Sequence, residues 1–257
     1  MPPPIITAWQ KLPLTSPPFL FPGDEFLLHP KHRQKISLLK NFSEYCRSEQ
    51  LEGKSSKLHL GLLPLPYWGD LQRAKIFLLM LNPGLGHLNY YSEYKIPACR
   101  KMLLNNLRQM NLDKRYPNVF LNPRHCWDGG YRYWTEKLAP ILRALMTKRQ
   151  CTYQEALSLL SRRLACVQLV PYHSASFQAG SMVSKLASSS LAMDFVHDEL
   201  LLKARKEKIQ IIVLRGNNFW KLREESQVIV YRNHESRGAS LSLNSRGGKA
   251  ILRNIQN

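Results

Sequence analysis

The sequence lacks any closely spaced pair of cysteines. Its five cysteines stand far apart and form no C-x-x-C motif: Cys46, Cys99, Cys126, Cys151 and Cys166. Structural zinc sites and the disulfide frameworks of small secreted proteins depend on short, repeated cysteine spacings. An iron–sulfur cluster would need four of these distant residues to converge. We therefore expect free thiols in a reducing cytoplasm, and we expect neither a metal nor another cofactor.

Long apolar runs are also missing. No stretch approaches the roughly 18 residues that a membrane-spanning helix needs. The start of the chain, M-P-P-P-I-I-T-A-W, has no basic region followed by an unbroken apolar segment, as a secretory signal peptide would. These features predict a cytoplasmic protein that does not enter a membrane.

Acidic residues are scarce compared with basic ones. The chain has 18 Asp and Glu against 37 Lys and Arg, which gives a formal charge of +19. The basic residues are spread from Lys11 to Arg253, so the folded surface itself should be basic. Such a charge attracts polyanions, and DNA is the partner we expect. The alternative is a generally basic protein with no polyanionic partner.

The shortage of carboxylates argues against a metal-dependent nuclease. Such an enzyme needs clustered Asp and Glu to hold magnesium. The best cluster is Asp194, Asp198 and Glu199, in a helical stretch where residues four apart share a face. A solvated helix face is the simpler explanation of this pattern.

The length and composition favour one sizeable core. The chain has 257 residues, of which 44% are hydrophobic, and no internal boundary indicates a second domain. Residues 1–34 are rich in proline with interspersed aromatic residues, which predicts an arm packed along the body. Residues 35–257 are predicted to form a single domain, and the protein to be a monomer.

Four apolar runs are typical of strands buried on both faces: 76–81, 164–170, 209–214 and 227–231. Helical patterns separate them, including 97–110, 131–145 and 193–206, and a further helix is predicted over 35–51. A short strand is predicted at 119–121 and a loop around residues 90–94. This alternation predicts an α/β fold with a doubly wound, mainly parallel four-stranded sheet and helices on both faces.

Each of the four runs ends in polar residues. Asn82 follows the first run and is held by Pro83-Gly84, a stiff turn that ends the strand. The other ends supply His173, Asn217 with Asn218, and His234 with Arg237. Ligands of open α/β sheets bind at the carboxyl ends of the strands. We therefore expect a cleft there, although Asn82 could also serve only to cap its turn.

These residues resemble motifs of the uracil-DNA glycosylase superfamily. L-N-P-G at 81–84 is similar to the first active-site motif of its thymine-DNA and single-strand-selective branches, and I-I-V-L-R-G at 211–216 resembles a later superfamily strand. With L-L-P-L-P-Y-W-G-D at 62–70 and V-P-Y-H-S at 170–174, the chain is most similar to a divergent bacterial branch. Some members of that branch are implicated in defence against phages that carry modified bases.

The resemblance implies a monofunctional DNA glycosylase that flips out a base and hydrolyses its N-glycosidic bond, leaving an abasic site. The superfamily's second motif, His or Asn followed by P-S, is absent, because Asn233-His234-Glu235-Ser236 has no proline. We therefore expect a modified base rather than uracil as the substrate. Repair of DNA damage and antiviral defence both remain open as the biological setting.

Glycoside hydrolysis assigns a role to each candidate residue. The reaction passes through an oxocarbenium-like sugar attacked by water, so Asn82 would orient that water. His173 or His234 would donate to the departing base. The flipped base would be held by stacking and edge contacts, and two arginines could reach phosphates. The predicted substrate contacts are Pro83, Gly84, Leu85, Tyr90, Tyr91, Tyr172, Ser174, Asn218 and His234, and the phosphate contacts are Arg237 and Arg246.

Each role has a structural alternative, because histidines and tyrosines at these positions could equally belong to the core and the arginines to a solvated surface. A dinucleotide-binding site is argued against, because Gly84-Leu85-Gly86 is followed by Asn89 where the fingerprint needs a third glycine. The remaining alternative is a non-catalytic nucleic-acid-binding module that uses the same cleft to hold a base.

Overall fold

The computed structural model describes residues 2–207 and 209–256. The chain forms two compact units, each built from separate stretches. The first comprises Met1–Tyr67, Leu81–Met110 and Gln168–Phe195, and the second comprises Trp68–Met80, Asn111–Val167 and Val196–Asn257.

Seven short strands occur in the described residues: β1 Ile36–Ser37, β2 Leu58–His59, β3 Tyr67–Trp68, β4 Ile76–Met80, β5 Leu164–Gln168, β6 Gln210–Val213 and β7 Val228–Val230. β1 and β2 pair in parallel. The other five form one sheet in the order β3-β5-β4-β6-β7. Within the second unit, β4 pairs in parallel with β6, and β6 with β7.

The helices of the described chain are α1 Pro4–Gln10, α2 Phe42–Cys46, α3 Leu88–Lys95, α4 Pro97–Arg108, α5 Gly129–Arg149, α6 Tyr153–Arg163, α7 Ala187–Asp194, α8 Leu201–Glu207, α9 Asn217–Trp220, α10 Asn233–Gly238 and α11 Arg246–Gln256. Short 3₁₀ segments lie at Glu25–Leu28, Pro30–Lys35, Glu49–Glu52, Val119–Leu121, Pro123–His125 and Gly180–Lys185, and a π-helical turn at Phe195–Leu200. None of these helices is long and apolar enough to cross a membrane.

The central strands explain why the fold is α/β. Every residue of β4, β5 and β6 is buried, as expected for parallel strands covered on both faces. The α/β class predicted from the apolar runs is confirmed, and the structure has a strand in each of the four predicted stretches.

The sheet is larger and less uniform than the predicted four parallel strands. A fifth strand, β3, lies at its edge. The neighbouring backbone pairs antiparallel, because Leu65 N–H donates to the Pro171 carbonyl at 2.8 Å and Gln168 N–H donates to the Pro66 carbonyl at 2.7 Å. The sheet is therefore mixed. Prolines are confined to sheet edges and bulges, which is why this segment gave only a weak strand signal.

Three local predictions were wrong. The predicted helix over 35–51 is instead β1, α2 and a 3₁₀ turn, since Asn41 caps α2 by accepting from the Glu44 N–H. The predicted strand at 119–121 is a 3₁₀ turn in which the Asn118 side chain accepts from the Phe120 N–H. The predicted loop around residues 90–94 lies on α3. In the first two cases polar side chains bond the local backbone in place of a longer element.

The proline-rich arm belongs to the first unit. Pro4 occupies the first turn of α1, where its missing N–H is not needed. Trp9, Phe19 and Phe21 are buried, and the Gln10 amide donates to the Arg108 carbonyl at 2.8 Å. These contacts make the arm part of the core of the first unit.

Candidate active site

The side chain of Asn82 is fixed just beyond the end of β4. Its Nδ2 donates to the Pro83 carbonyl at 2.9 Å, to Ser174 Oγ at 2.9 Å and to the Tyr172 carbonyl at 3.3 Å. The side chain is half-buried. Its Oδ1 has no hydrogen-bond partner within the described part of the chain. A rigid amide thus presents one open acceptor.

Two chain segments meet around this amide, as the predicted sheet requires. Val170 N–H donates to the Leu81 carbonyl at 2.8 Å, and Ser174 N–H donates to the Pro83 carbonyl at 3.2 Å. Gly84 and Ser174 form an isolated parallel bridge. Parallel strands place their carboxyl ends side by side, so the structure brings the 82–84 turn and the 172–174 segment together.

His173 is buried beneath the turn and is not open to solvent. Its exposed fraction is 7%, and its Nδ1 lies 2.9 Å from the Gly84 carbonyl oxygen. Because the carbonyl can only accept, Nδ1 carries the proton. Burial lowers the pKa of His173, while the backbone of Gly84 and of Leu63 acts in the opposite sense. The neutral ring therefore holds the turn in place.

A second histidine, which the sequence analysis did not single out, lies next to His173. His59 N–H donates to the His173 carbonyl at 2.9 Å, and His59 Nδ1 lies 3.1 Å from the Tyr90 hydroxyl. The ring is fully buried, and its Nε2 has no partner within the described residues. Burial, with smaller contributions from His173 and Lys57, lowers the pKa of His59 to about 3.

This burial predicts a measurable pH dependence of stability. The pKa of His59 is lower in the folded than in the unfolded chain, so its contribution is intact above about pH 6.5 and is lost as the pH falls toward 3. We expect wild type to lose stability relative to His59→Gln by about 1.4 kcal/mol per pH unit in that window. Urea unfolding at several pH values measures this difference.

The comparison between variants is needed because other groups titrate in the opposite direction. Glu93 has a raised pKa, so its protonation favours the folded state as the pH falls. His234→Gln serves as the control, since that side chain is exposed. Parallel pH profiles for wild type and His59→Gln would contradict the prediction.

Glu93 is a buried carboxyl behind the same segment. Both of its oxygens accept from the Leu63 N–H at 3.0 Å, and Arg100 donates to Oε1 at 2.9 Å. Burial raises the pKa of Glu93 to about 8, although the Leu63 N–H and Arg100 both act against the rise. The backbone of Leu63 therefore bonds both Glu93, through its N–H, and His173.

Asp24, from the proline-rich arm, holds the other side of the 172–174 segment. Its Oδ2 accepts from the Tyr172 hydroxyl at 2.6 Å and from Ser188 Oγ at 2.5 Å, and its Oδ1 accepts from the Ser188 N–H at 3.3 Å. The Tyr172 hydroxyl also accepts from the Phe21 N–H at 3.1 Å. Burial raises the pKa of Asp24, against these hydrogen bonds.

The three tyrosines that were predicted to stack on a base differ in their exposure to solvent. Tyr90 and Tyr172 are fully buried, and Tyr90 stacks on Tyr45 with ring centroids 4.5 Å apart. Leu85 is buried in the same cluster. Tyr91 is 42% exposed and meets the Phe42 ring edge-on at 5.3 Å. Of the three tyrosines, only Tyr91 presents its ring to solvent.

The remaining predicted residues lie in the second unit. Asn218 on α9, and His234 and Arg237 on α10, are exposed. Arg246 is paired: it donates to Glu235 at 2.6 Å and to the Val230 carbonyl at 2.7 Å, and it also bonds Glu224. The charge of Arg246 is thus balanced within the protein, whereas Arg237 has no ion-pair partner among the described residues.

The site residues that sequence reasoning missed share one property. His59, Glu93, Asp24 and Ser188 are buried polar side chains whose partners lie far away in the sequence. His59 interrupts an apolar stretch, L-H-L-G, which was the only available signal. No group of three or more His, Cys, Asp or Glu side chains suited to a metal occurs in the described residues.

No protein-family model, curated protein or solved structure matches the chain. The geometry of the site offers a fixed amide with a free oxygen acceptor, next to a buried imidazole that is hydrogen-bonded to the turn.

Proposed function

We propose that the protein is a DNA glycosylase that flips out a base and hydrolyses its N-glycosidic bond by water attack. The observation that carries the proposal is the orientation of Asn82: both of its N–H groups are committed to protein oxygens. Its Oδ1 remains free to accept a hydrogen bond. An acceptor fixed in this way can hold a water in one orientation, and positioning is a large part of catalysis.

In the proposed reaction, the main task of the protein is to position the attacking water relative to the anomeric carbon. The water oxygen forms a bond to the anomeric carbon as the bond from that carbon to the base breaks, and the base leaves with the bonding electrons. The attacking water releases its proton to solvent, and solvent protonates the departing base. Asn82 Oδ1 orients the water, and His173 acts as a positioning residue through the Gly84 carbonyl.

The net charge of +19 supports DNA as the substrate. The absence of proline after Asn233-His234 supports a modified base over uracil, as does the resemblance to bacterial glycosylases implicated in phage defence. Tyr91 remains a candidate stacking surface for a nucleotide, because its ring is exposed.

A non-catalytic nucleic-acid-binding module is the second candidate. The observation in its favour is that the same three hydrogen bonds from Asn82 would also serve a purely structural turn. In that case Asn82 stabilises the 82–84 turn, and the cleft holds a base without cleaving its bond.

The two candidates differ in product. The purified protein is incubated with DNAs that contain uracil, a thymine mismatch, hydroxymethylcytosine or glucosylated cytosine, and alkali then breaks any abasic site. Alkali-dependent breaks at a modified cytosine are the expected result. Efficient release of uracil alone would contradict the preference for a modified base. If the protein binds these DNAs but none of them shows alkali-dependent breaks, the result would favour the non-catalytic binding module.

A further inference from the structure

Besides the candidate active site, the first unit has a basic segment at the end of the proline-rich arm. Residues 29–35 read H-P-K-H-R-Q-K, and Pro30–Lys35 forms a 3₁₀ helix that begins with Pro30 and is capped by the His29 side chain. Lys31, Arg33 and Lys35 are exposed. A 3₁₀ helix has three residues per turn, so side chains two positions apart point about 120° apart, and these three cations surround the short segment.

Lys185 joins this segment from a distant part of the sequence. It ends the 3₁₀ segment Gly180–Lys185 and is exposed. The His32 ring lies edge-on against Phe26, with the ring centroids 5.7 Å apart. His32 is close enough to Lys185 to be affected by its charge. Partial burial lowers the pKa of His32, and the charges of Lys31, Lys35, His29 and Lys185 lower it further. We call Lys31, Arg33, Lys35 and Lys185 the basic surface.

The cations of the basic surface are not balanced by ion pairs. No ion pair within the described residues involves any of its four members, and the charges that lower the pKa of His32 come from Lys31, Lys35, His29 and Lys185. Gathering like charges costs free energy unless an anion binds among them. Residues 29–35 also carry no large apolar side chain, which a membrane-binding segment would need.

Asp24 connects the basic surface to the candidate active site. It bonds both Ser188, three residues after Lys185, and Tyr172, the residue before His173. Pro30 lies six residues after Asp24. Three residues of extended chain span about 10 Å at most, so Lys185 cannot lie far from the hydrogen bonds that hold the 172–174 segment.

We propose that the basic surface binds the phosphate backbone of the DNA on which the candidate active site acts. This inference rests on the proposed function and adds a location for the substrate strand. Its occupant is a run of phosphates, with contacts to Lys31, Arg33, Lys35 and Lys185. Such contacts position the strand without reading its sequence.

The test compares two triple variants of equal charge. Lys31→Gln/Arg33→Gln/Lys35→Gln removes three charges from the basic surface, and Lys114→Gln/Arg223→Gln/Lys249→Gln removes three exposed charges from the second unit. DNA binding is measured by fluorescence anisotropy between 50 and 200 mM salt. Each phosphate contact contributes about 0.7–0.9 to the slope of log K against log salt. The first variant should lose about 2–3 units of slope and on the order of a hundredfold in affinity at 0.1 M salt.

Lys185→Gln alone should lower the slope by about one unit, which tests whether the two segments form one surface. Equal slopes for the two triple variants would overturn the inference, and if abasic sites still form, the glycosylase proposal stands. Different slopes without any abasic product would support the surface and overturn the glycosylase. Absence of DNA binding by wild type would overturn both. Tighter binding to phosphatidylserine vesicles than to DNA would overturn the inference in favour of a membrane.

Discussion

Replacing Asn82 with alanine should lower the rate of base release by about 10²-fold to 10³-fold while leaving DNA binding near the wild-type level. In the proposed reaction the amide positions the attacking water, and the loss of one well-placed polar group in a catalytic site has effects of that size. In the proposed complex, phosphate contacts elsewhere supply most of the binding, so the affinity should barely change. Single-turnover kinetics with the DNA that proves to be a substrate measure the effect.

Ser174→Ala provides a graded comparison for Asn82→Ala. It removes the acceptor 2.9 Å from Asn82 Nδ2 but keeps the carbonyls of Pro83 and Tyr172 as partners. The amide is then less firmly oriented, so we expect a smaller loss of rate, about tenfold. Full activity in Asn82→Ala would exclude the proposed role of Asn82. Equal losses of binding and rate in that variant would indicate that the turn, and not the water, was disturbed.

Replacing Asp24 with alanine should destabilise the protein by about 3–5 kcal/mol, because it leaves buried donors without their acceptor. The Tyr172 hydroxyl and both the hydroxyl and the N–H of Ser188 would lose a partner. At about 2–4 °C per kcal/mol for a chain of this size, the melting temperature should fall by roughly 6–20 °C. Thermal unfolding followed by circular dichroism measures it.

Asp194→Ala is the matched control, because Asp194 is exposed and surface changes stay within about 0.5 kcal/mol. Asp24→Asn should recover only part of the stability, since its amide keeps one acceptor but adds donors that face the hydroxyl groups. A melting temperature of Asp24→Ala within 2 °C of wild type, on the order of the effect of one surface change, would refute the assigned role of Asp24.

The fold was predictable wherever burial leaves a continuous apolar run. β4, β5 and β6 are buried throughout, and such strands are visible in the sequence without any partner being known. β3 was not predictable in this way, because its pairing partner is remote and prolines precede it. The segment 35–51 has helical spacing, yet pairing of Ile36 with Leu58 outweighs this local preference.

The candidate site was predictable in part for the same reason. Asn82 and Ser174 follow apolar runs, and the geometry of parallel strands places such ends together. The roles of His59, Glu93 and Asp24 were not predictable, since each depends on at least one partner that lies 30 or more residues away. Tyr90 and Tyr172 were predicted to stack on a base, but tyrosine is equally suited to a core position and the sequence does not distinguish the two.

The buried arm has a consequence for how the chain can be shortened. A version that starts at residue 35 would look intact by sequence, because every strand and most helices remain. It would nevertheless lose Asp24 and the Trp9, Phe19 and Phe21 side chains, and with them the anchor of Tyr172 beside the candidate site. Loss of the first 34 residues should therefore disturb the 172–174 segment before any residue of a strand is removed.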